Sequence, residues 1–304
     1  MIYDGKKISL DKNNRYNNFM NLLDSDRELQ VIDANFPTGK GANSSVYKVV
    51  DPNENESDLV IKFCNFFRNE NGRYYSKIQK RFQREIEALE KARDNGKPNI
   101  INIFADGEVK IGDKFFLYYV MECADSDLRQ YLEDTELSIQ MRIQLCNDIL
   151  RAVNDLHSID IYHRDIKPDN FLMVGQAWKI CDLGLIAHRE EDQELDRSAG
   201  FLGPKGFMSP EATNKYYAYG NCLDTLDCRI DDKSDIYQLG KLFWYILQGD
   251  VPTGQVALED FTFEDSRLFS DVIAPMLQYA KRRRSDIGIT TASLHPICRE
   301  YAAI

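Results

Sequence analysis

The sequence has no long hydrophobic run and no apolar segment near its start. Its longest purely apolar stretch, residues 115–121, has seven residues, whereas about 20 are needed to cross a bilayer. The first 18 residues contain no apolar core of the kind that a secretory signal requires. These absences predict a soluble protein in the cytoplasm, with no membrane partner.

Positive charge and paired cysteines are also scarce. The formal net charge is −11, so a general affinity for nucleic acid is not expected. The one dense basic run, residues 281–284, is interpreted as a solvated helix end with one structural ion pair. The cysteines number seven, and several lie in predicted core segments (Cys64, Cys123 and Cys181), so they are expected to pack as thiols rather than form disulfides.

The order of predicted elements changes along the chain. Residues 1–28 are polar and rich in Asn, with a short predicted helix at 16–23, and we treat them as an extension. Alternating apolar patterns then predict a five-stranded antiparallel sheet at 29–34, 45–50, 58–63, 101–109 and 115–121. Helical periodicity predicts a helix between the third and fourth strands at 75–94, and later helices at 138–158, 234–248, 264–279 and 289–302.

Residues 163–170 read His-Arg-Asp-Ile-Lys-Pro-Asp-Asn, and an Asp-Leu-Gly follows at 182–184. In phosphoryl transfer an Asp accepts the proton of the attacking hydroxyl, a Lys neutralises the transferred phosphate, and an Asn and a second Asp bind Mg²⁺. The spacing therefore predicts Asp165 as the base, Lys167 as the neutralising residue, and Asn170 and Asp182 as metal ligands. A chance match is rejected because too many residue types are fixed within a short stretch.

A second set of residues predicts a nucleotide site. Gly39 and Gly41 lie between two predicted strands, where glycines let backbone amides approach phosphates, although a pair of glycines alone is more often just a turn. Lys62 ends the following strand at the spacing expected for the lysine that holds the α and β phosphates. Because a half-buried lysine needs an anion, Glu85 on the next helix is predicted as its partner.

The adenine base requires apolar surfaces and backbone hydrogen-bonding groups. The residues predicted by position to contact the base are Val46, Val60, Leu172, Met121, and the backbone of Glu122 and Ala124. Asp127 is placed to reach the ribose, and capping of the following helix is a nearly equal alternative.

Together these motifs resemble those of eukaryotic-type (Hanks-type) Ser/Thr protein kinases, from the glycine-rich segment to the last helix. The resemblance extends to residues 208–211, Met-Ser-Pro-Glu, which are similar to the family's Ala-Pro-Glu element, and to the helix at 234–240, whose Asp anchors the catalytic loop in the family. It implies that Glu211 pairs with Arg283 or Arg284. The lysine two residues after Asp165 resembles the Ser/Thr subgroup.

The resemblance implies an α+β, bilobal protein kinase-like fold. Its small lobe (residues 29–122) would hold the antiparallel sheet and one helix, and its larger lobe (125–304) would be mainly helical, with an ATP cleft between them. The implied activity is transfer of the γ-phosphate of ATP to a Ser or Thr hydroxyl of a protein, with Mg²⁺ or alternatively Mn²⁺, and with autophosphorylation. A small-molecule kinase of related fold and a kinase-fold regulatory binding protein remain open as alternatives.

The sequence departs from the family pattern at several positions. Ser44 stands for the third glycine and Leu183 for the Phe of Asp-Phe-Gly, both tolerable changes. Pro204 stands where the family places a Thr that bears on substrate docking. The spacing between Glu211 and Asp235 is about twice the typical one, which predicts an inserted surface loop.

Regulation is predicted from the segment that follows Asp182. Arg164 precedes the base, and in the family an arginine there is commonly neutralised by an anion on this segment. Ser198 carries the one Ser or Thr hydroxyl between Asp182 and Met208, so its phosphorylation is predicted to supply that anion. Acidic side chains at 190–196 are the alternative source.

Overall fold

The computed structural model describes residues 1–21, 28–32, 43–50, 59–69, 76–188, 206–218 and 227–303. The chain divides into two compact units, Met1–Ala124 and Asp125–Ile304. Several positions singled out in the sequence lie outside the described residues, namely Gly39, Gly41, Ser198, Pro204 and Cys222.

A six-stranded antiparallel sheet forms the centre of the first unit. Its strands are β3 (Phe19–Asn21), β4 (Glu28–Ile32), β5 (Ser44–Val50), β6 (Leu59–Asn69), β7 (Ile103–Ile111) and β8 (Lys114–Glu122), while β1 (Ile2–Tyr3) and β2 (Ile8–Ser9) form a separate hairpin. The strand order in the sheet is β3-β4-β5-β6-β8-β7. The sheet therefore has one strand more than the sequence predicted.

The extra strand comes from a segment that was predicted to be helical. Residues 15–18 form only a short 3₁₀ helix, capped by the Asn14 side chain, and β3 follows directly. In β3 the side chain of Met20 is buried between two more exposed neighbours, the period-2 pattern of a strand, and it pairs with Leu29 of β4. The helix predicted at 16–23 was wrong because pairing with β4 buries Met20.

The sheet of the first unit is covered on both faces. Helix α1 (Lys77–Asp94) begins at a capping box formed by Ser76 and Gln79, and it buries Phe82, whose ring lies 5.3 Å from that of Tyr119. On the other face, Met1, Ile8 and Met20 join a buried apolar cluster with strand side chains such as Phe63. The sheet is therefore the middle layer of three.

The second unit is mainly helical. Its helices are α2 (Leu128–Asp134), α3 (Ile139–His157), α4 (Pro210–Tyr217), α5 (Asp232–Gln248), α6 (Ala274–Met276) and α7 (Ile287–Ala302). Its short strands are β9 (Ser126–Asp127), β10 (Ile161–Tyr162), β11 (Phe171–Val174), β12 (Ala177–Ile180) and β13 (Ala187–His188). Helix α3 packs against α5, α7 and β12.

The helix predicted at 264–279 is replaced by shorter elements. A π-helix at Leu268–Ile273 leads into α6, which contains Pro275. Proline has no backbone N–H to donate to the carbonyl four residues earlier, so regular α-helical bonding is interrupted there. The remaining predicted helices lie within two residues of their observed bounds.

The predicted α+β class is confirmed, with an antiparallel sheet and α1 in the first unit and mainly helices in the second. Cys64 and Cys181 are buried, as expected for a packing role, whereas Cys123 is only partly buried. No helix in the described part of the chain is long and apolar enough to cross a membrane.

Candidate active site

The first unit holds a buried ion pair between Lys62 of β6 and Glu85 of α1. The Lys62 Nζ lies 2.9 Å from the Glu85 Oε1, and the Tyr119 hydroxyl donates to the same oxygen at 3.0 Å. Lys62 is 9% exposed and Glu85 2% exposed. Removing one partner of such a pair would leave an uncompensated buried charge, which is strongly destabilising. Each charge therefore stabilises the other in this buried position.

The residues predicted to contact adenine in this unit lie on the same face of the sheet as Lys62. Val46 is directly opposite Lys62 in β5, and Val60 is directly opposite Met121 in β8. Directly opposed residues of an antiparallel pair point to the same face. Glu122, at the end of β8, is fixed by two hydrogen bonds with the backbone of Asn102, and Ala124 is the last residue of the unit.

In the second unit, the Asp165 carboxylate is held by two neighbouring side chains. The Lys167 Nζ lies 2.8 Å from the Asp165 Oδ2, and the Asn170 Nδ2 donates to the same oxygen at 3.0 Å and to the Asp165 carbonyl at 2.7 Å. Because both side chains bind Oδ2, Oδ1 is the oxygen suited to accept a proton. The structure thus brings together three of the residues that the sequence predicted.

Lys167 carries its charge in this environment. Burial lowers the pKa of the Lys167 ammonium, but the carboxylates of Asp165, Asp182 and Asp169 raise it by more, so the pKa lies above its ordinary value. The side chain is therefore protonated at neutral pH. A fixed positive charge beside the Asp165 carboxylate is suited to neutralise a phosphate.

The shape of this loop is set by helix α5. The buried Asp235 carboxylate accepts hydrogen bonds from the backbone N–H groups of His163 at 2.8 Å and Arg164 at 2.7 Å. Gln238, one turn later, accepts from the Ile166 N–H at 2.8 Å and donates to the Arg164 carbonyl at 3.1 Å. These bonds hold Arg164 at a φ of 66°, a conformation that residues other than glycine rarely adopt.

The anchoring role of Asp235 was expected from the resemblance, whereas that of Gln238 was not anticipated. The available signal was a polar residue one turn after Asp235 on an otherwise apolar face of a helix.

A second unanticipated contact is the two-point ion pair in which Arg129 of α2 donates to Asp169 at 3.0 and 2.8 Å. It holds α2 against the loop.

Asp182 follows a residue whose backbone is tied to the loop. The Cys181 N–H donates to the Asn170 carbonyl at 3.0 Å, and the His163 Nε2 lies 3.0 Å from the Cys181 carbonyl. Asp182 itself has a φ of 58° and an exposed side chain. The left-handed backbone turns the chain sharply at the residue predicted to bind metal.

Asn170 and Asp182 fit a magnesium ion. The amide nitrogen of Asn170 is used by Asp165, which leaves its amide oxygen as a ligand atom, and Asp182 offers a carboxylate. Magnesium prefers oxygen ligands and commonly takes one or two from the protein, the rest from phosphate and water. The described residues contain no group of three or more His, Cys, Asp or Glu arranged to hold a metal.

Three further predicted residues belong to this part of the second unit. Leu172 of β11 is buried and directly opposite Asp127 of β9. The Asp127 side chain accepts from the Gln130 N–H at 2.9 Å and caps α2, the alternative role considered from the sequence. The Arg164 guanidinium donates to the carbonyls of Leu185 and Ile186 at 2.6 and 2.9 Å, in the segment that follows Asp182.

The ion pair predicted for Glu211 is made with Arg284. The two side chains are buried and approach to 2.9 Å, while Arg283 is exposed. The structure thus decides between the two arginines that the sequence left open.

The class of protein follows from a comparison with known families. Residues 35–286 match the family described as "Protein kinase domain", so the chain belongs to the protein kinase family. The membership that the motifs predicted is therefore confirmed.

Relatives with assigned names are consistent with this class. The chain is 27% identical over 250 residues to a probable serine/threonine-protein kinase of Encephalitozoon cuniculi, an alignment that covers 82% of this chain and 41% of that protein. It is 28% identical over 218 residues to the serine/threonine-protein kinase mph1 of Schizosaccharomyces pombe, with 70% and 30% covered. It is 26% identical over 215 residues to the dual specificity protein kinase TTK of Mus musculus, with 70% and 24% covered. The chain therefore spans less than half the length of these relatives.

Proposed function

We propose that the chain is a Ser/Thr protein kinase that transfers the γ-phosphate of Mg-ATP to a protein hydroxyl, including hydroxyls of its own chain. The observation that carries this proposal is the Asp165 carboxylate held on one oxygen by both Lys167 and Asn170. Family membership and relatives named as serine/threonine kinases support it.

In this proposal the residues of the second unit perform the transfer. The Asp165 Oδ1 accepts the proton of the substrate hydroxyl, which then attacks the γ-phosphorus. The Lys167 ammonium neutralises charge on the transferred group. Asn170 and Asp182 hold the magnesium ion, which supplies further charge neutralisation when it is bound.

The first unit binds the nucleotide in this proposal. Lys62, held by Glu85, contacts the α and β phosphates, and the glycine-rich segment with Gly39 and Gly41 covers them. The residues that we propose contact the base are Val46, Val60, Met121 and Leu172, together with the backbone of Glu122 and Ala124. For Asp127 we retain the capping role, because its carboxylate is occupied by the α2 backbone.

We also propose control through Arg164. Its guanidinium contacts the backbone that follows Asp182, so it connects the catalytic loop to the segment that carries Ser198. A phosphate on Ser198 would supply an anion for this arginine. The variant Ser198→Ala is then expected to keep only the activity of the phosphatase-treated wild type.

The test is to incubate the purified protein with Mg-ATP and weigh the intact chain by mass spectrometry. Phosphate is expected on the wild type and to be absent from Lys62→Ala, Asp165→Asn and Asp182→Ala. Glu85→Gln and Glu87→Gln form a matched pair on α1, because Glu85 is buried against Lys62 and Glu87 is exposed. Only Glu85→Gln is expected to lose activity.

Adding a panel of peptide and metabolite acceptors to this incubation separates the alternatives. Full transfer by Asp165→Asn, with normal nucleotide binding, would overturn the assigned role of the base. Transfer to a metabolite but to no protein acceptor would identify a small-molecule kinase. Nucleotide binding without transfer to any acceptor in a panel would identify a binding protein.

A further inference from the structure

The N-terminal segment, defined as residues 1–21, is built into the sheet of the first unit. The Ile8 side chain is completely buried and Met20 nearly so, in one cluster with Phe63 and other strand residues. The Tyr3 ring lies 4.9 Å from that of Phe116. This segment therefore covers the face of the sheet that α1 does not cover.

The backbone of Ile8 is held by two side chains from different strands. Its N–H donates to the Asn65 Oδ1 of β6 at 3.0 Å, and its carbonyl accepts from the Tyr47 hydroxyl of β5 at 2.7 Å. Both bonds satisfy main-chain atoms of Ile8, which would otherwise be buried without a hydrogen-bond partner. The N-terminal segment is thus fastened to the strands as well as packed on them.

Asn65 connects this segment to the start of β5. Its Oδ1 also accepts from the Ser45 hydroxyl at 2.9 Å, and its backbone N–H donates to the Asn43 carbonyl at 2.9 Å. The Asn65 side chain is 3% exposed. It lies where the pairing of β6 shifts register between Phe63 and Phe67, and such bulges redirect a side chain.

These contacts lie directly behind the residues proposed to bind nucleotide. Ser45 faces the N-terminal segment, while its neighbour Val46 points to the opposite face, directly across from Lys62. Asn65 is three residues beyond Lys62 in the same strand. The hydrogen bonds on one face therefore fix the two strands whose other face carries Val46 and Lys62.

We propose that Asn65 and Ser45 are positioning residues for the nucleotide, and that Ile8 of the N-terminal segment helps to hold them through its backbone hydrogen bonds. This inference rests on the proposed nucleotide-binding function of the first unit. If the hydrogen bond from Ser45 to Asn65 is lost, β5 samples other positions. The apparent affinity for nucleotide then falls in proportion to the fraction of molecules that keep the binding-competent arrangement.

The test is titration calorimetry of the full chain with Mg²⁺ and a non-hydrolysable ATP analogue. Ser45→Ala is expected to raise the Kd by about threefold to tenfold, which corresponds to the net free energy of one hydrogen bond. Ser45→Thr keeps the hydroxyl and is expected to restore most of the affinity. Tyr47→Phe loosens Ile8 without touching Asn65 and is expected to raise the Kd by about twofold to fivefold.

The matched control is Met20→Ala, which removes a buried side chain from the same cluster at the far edge of the sheet. It is expected to lower the thermal midpoint and leave the Kd unchanged, which separates positioning from general stability. An unchanged Kd in Ser45→Ala, or the same rise in Met20→Ala, would overturn the inference. A raised Kd in Ser45→Ala without one in Tyr47→Phe would remove the N-terminal segment from it.

These outcomes are distinct from failure of the proposed function. If the wild type binds no nucleotide, the kinase proposal itself is wrong. If the wild type binds nucleotide and transfers phosphate while every variant keeps the same Kd, only the inference about Ser45, Asn65 and the N-terminal segment is wrong.

Discussion

At the residue scale, the central feature is a single carboxylate oxygen of Asp165 with two donors. Lys167 and Asn170 both bind Oδ2, so the ammonium and amide groups orient the carboxylate, and Oδ1 is the oxygen that we propose accepts the proton. That these three residues lie close together was predictable, because the phosphoryl-transfer motif places them at short, fixed spacings in one loop. The choice of oxygen was not predictable, because it depends on how the loop is folded.

Replacing Lys167 tests the value of its charge. In Lys167→Met we expect phosphoryl transfer to fall by about 10²-fold, because the transferred group loses a preorganised cation. The Kd of the ATP analogue is expected to change little. Lys167→Arg keeps the charge and should retain more of the rate, as measured by initial velocities with a peptide acceptor.

The pH dependence of this effect has a definite sign. The pKa of Lys167 is raised above its ordinary value of 10.5. In the folded protein the side chain therefore keeps its proton and its positive charge at every pH below 10.5, and it loses them only at higher pH. The contribution of Lys167 should therefore be constant between about pH 7 and 9. A ratio of wild-type to Lys167→Met rates that falls across that range would contradict this assignment.

At the element scale, helices hold the site through buried polar contacts. Asp235 and Gln238 of α5 shape the loop at 163–170, and Glu211 of α4 pairs with Arg284 just before α7. Arg284 also donates to the carbonyls of Gln278 and Lys233 at 3.0 and 2.6 Å. One arginine thus connects three parts of the second unit.

The neighbouring arginines give a matched pair for a stability test. Arg284→Met leaves the Glu211 carboxylate buried without its counter-ion and is expected to lower the free energy of unfolding by about 3–5 kcal/mol. Arg283→Met changes an exposed side chain and is expected to stay within about 0.5 kcal/mol of the wild type. Urea unfolding followed by far-UV circular dichroism measures both, and equal losses would refute the assigned pairing.

The main element that sequence reasoning missed is the N-terminal cover of the sheet. A signal for it existed in β8, where residues 115–121 are continuously apolar instead of alternating with polar residues. A strand with that pattern is buried on both faces, whereas α1 covers only one. The pattern shows that a second cover is needed, but it does not show which segment supplies it.

At the scale of the whole molecule, each unit has its own buried core and its own part of the proposed chemistry. Lys62 and Glu85 belong to the first unit, and Asp165, Asn170 and Asp182 belong to the second. A ligand that binds the folded chain stabilises it in proportion to its affinity and concentration. Nucleotide and metal should therefore be visible in thermal unfolding.

We expect Mg²⁺ with the ATP analogue, at about 100 times the Kd, to raise the thermal midpoint by about 4–8 °C. Asp182→Asn removes one proposed ligand charge and should abolish most of the difference between samples with Mg²⁺ and samples with EDTA. Differential scanning fluorimetry provides the readout. A magnesium effect of equal size in Asp182→Asn would argue against its role as a metal ligand.

The sequence by itself determined the family and the α+β class, and it predicted which residues carry the chemistry, because these depend on short spacings and on local periodicity. Only the tertiary structure decided that Glu211 pairs with Arg284, that Gln238 supports the loop, and that residues 1–21 cover the sheet. Those contacts join residues far apart in the chain. Their choice depends on which surfaces are buried together, and several segments of similar composition could satisfy the same local pattern.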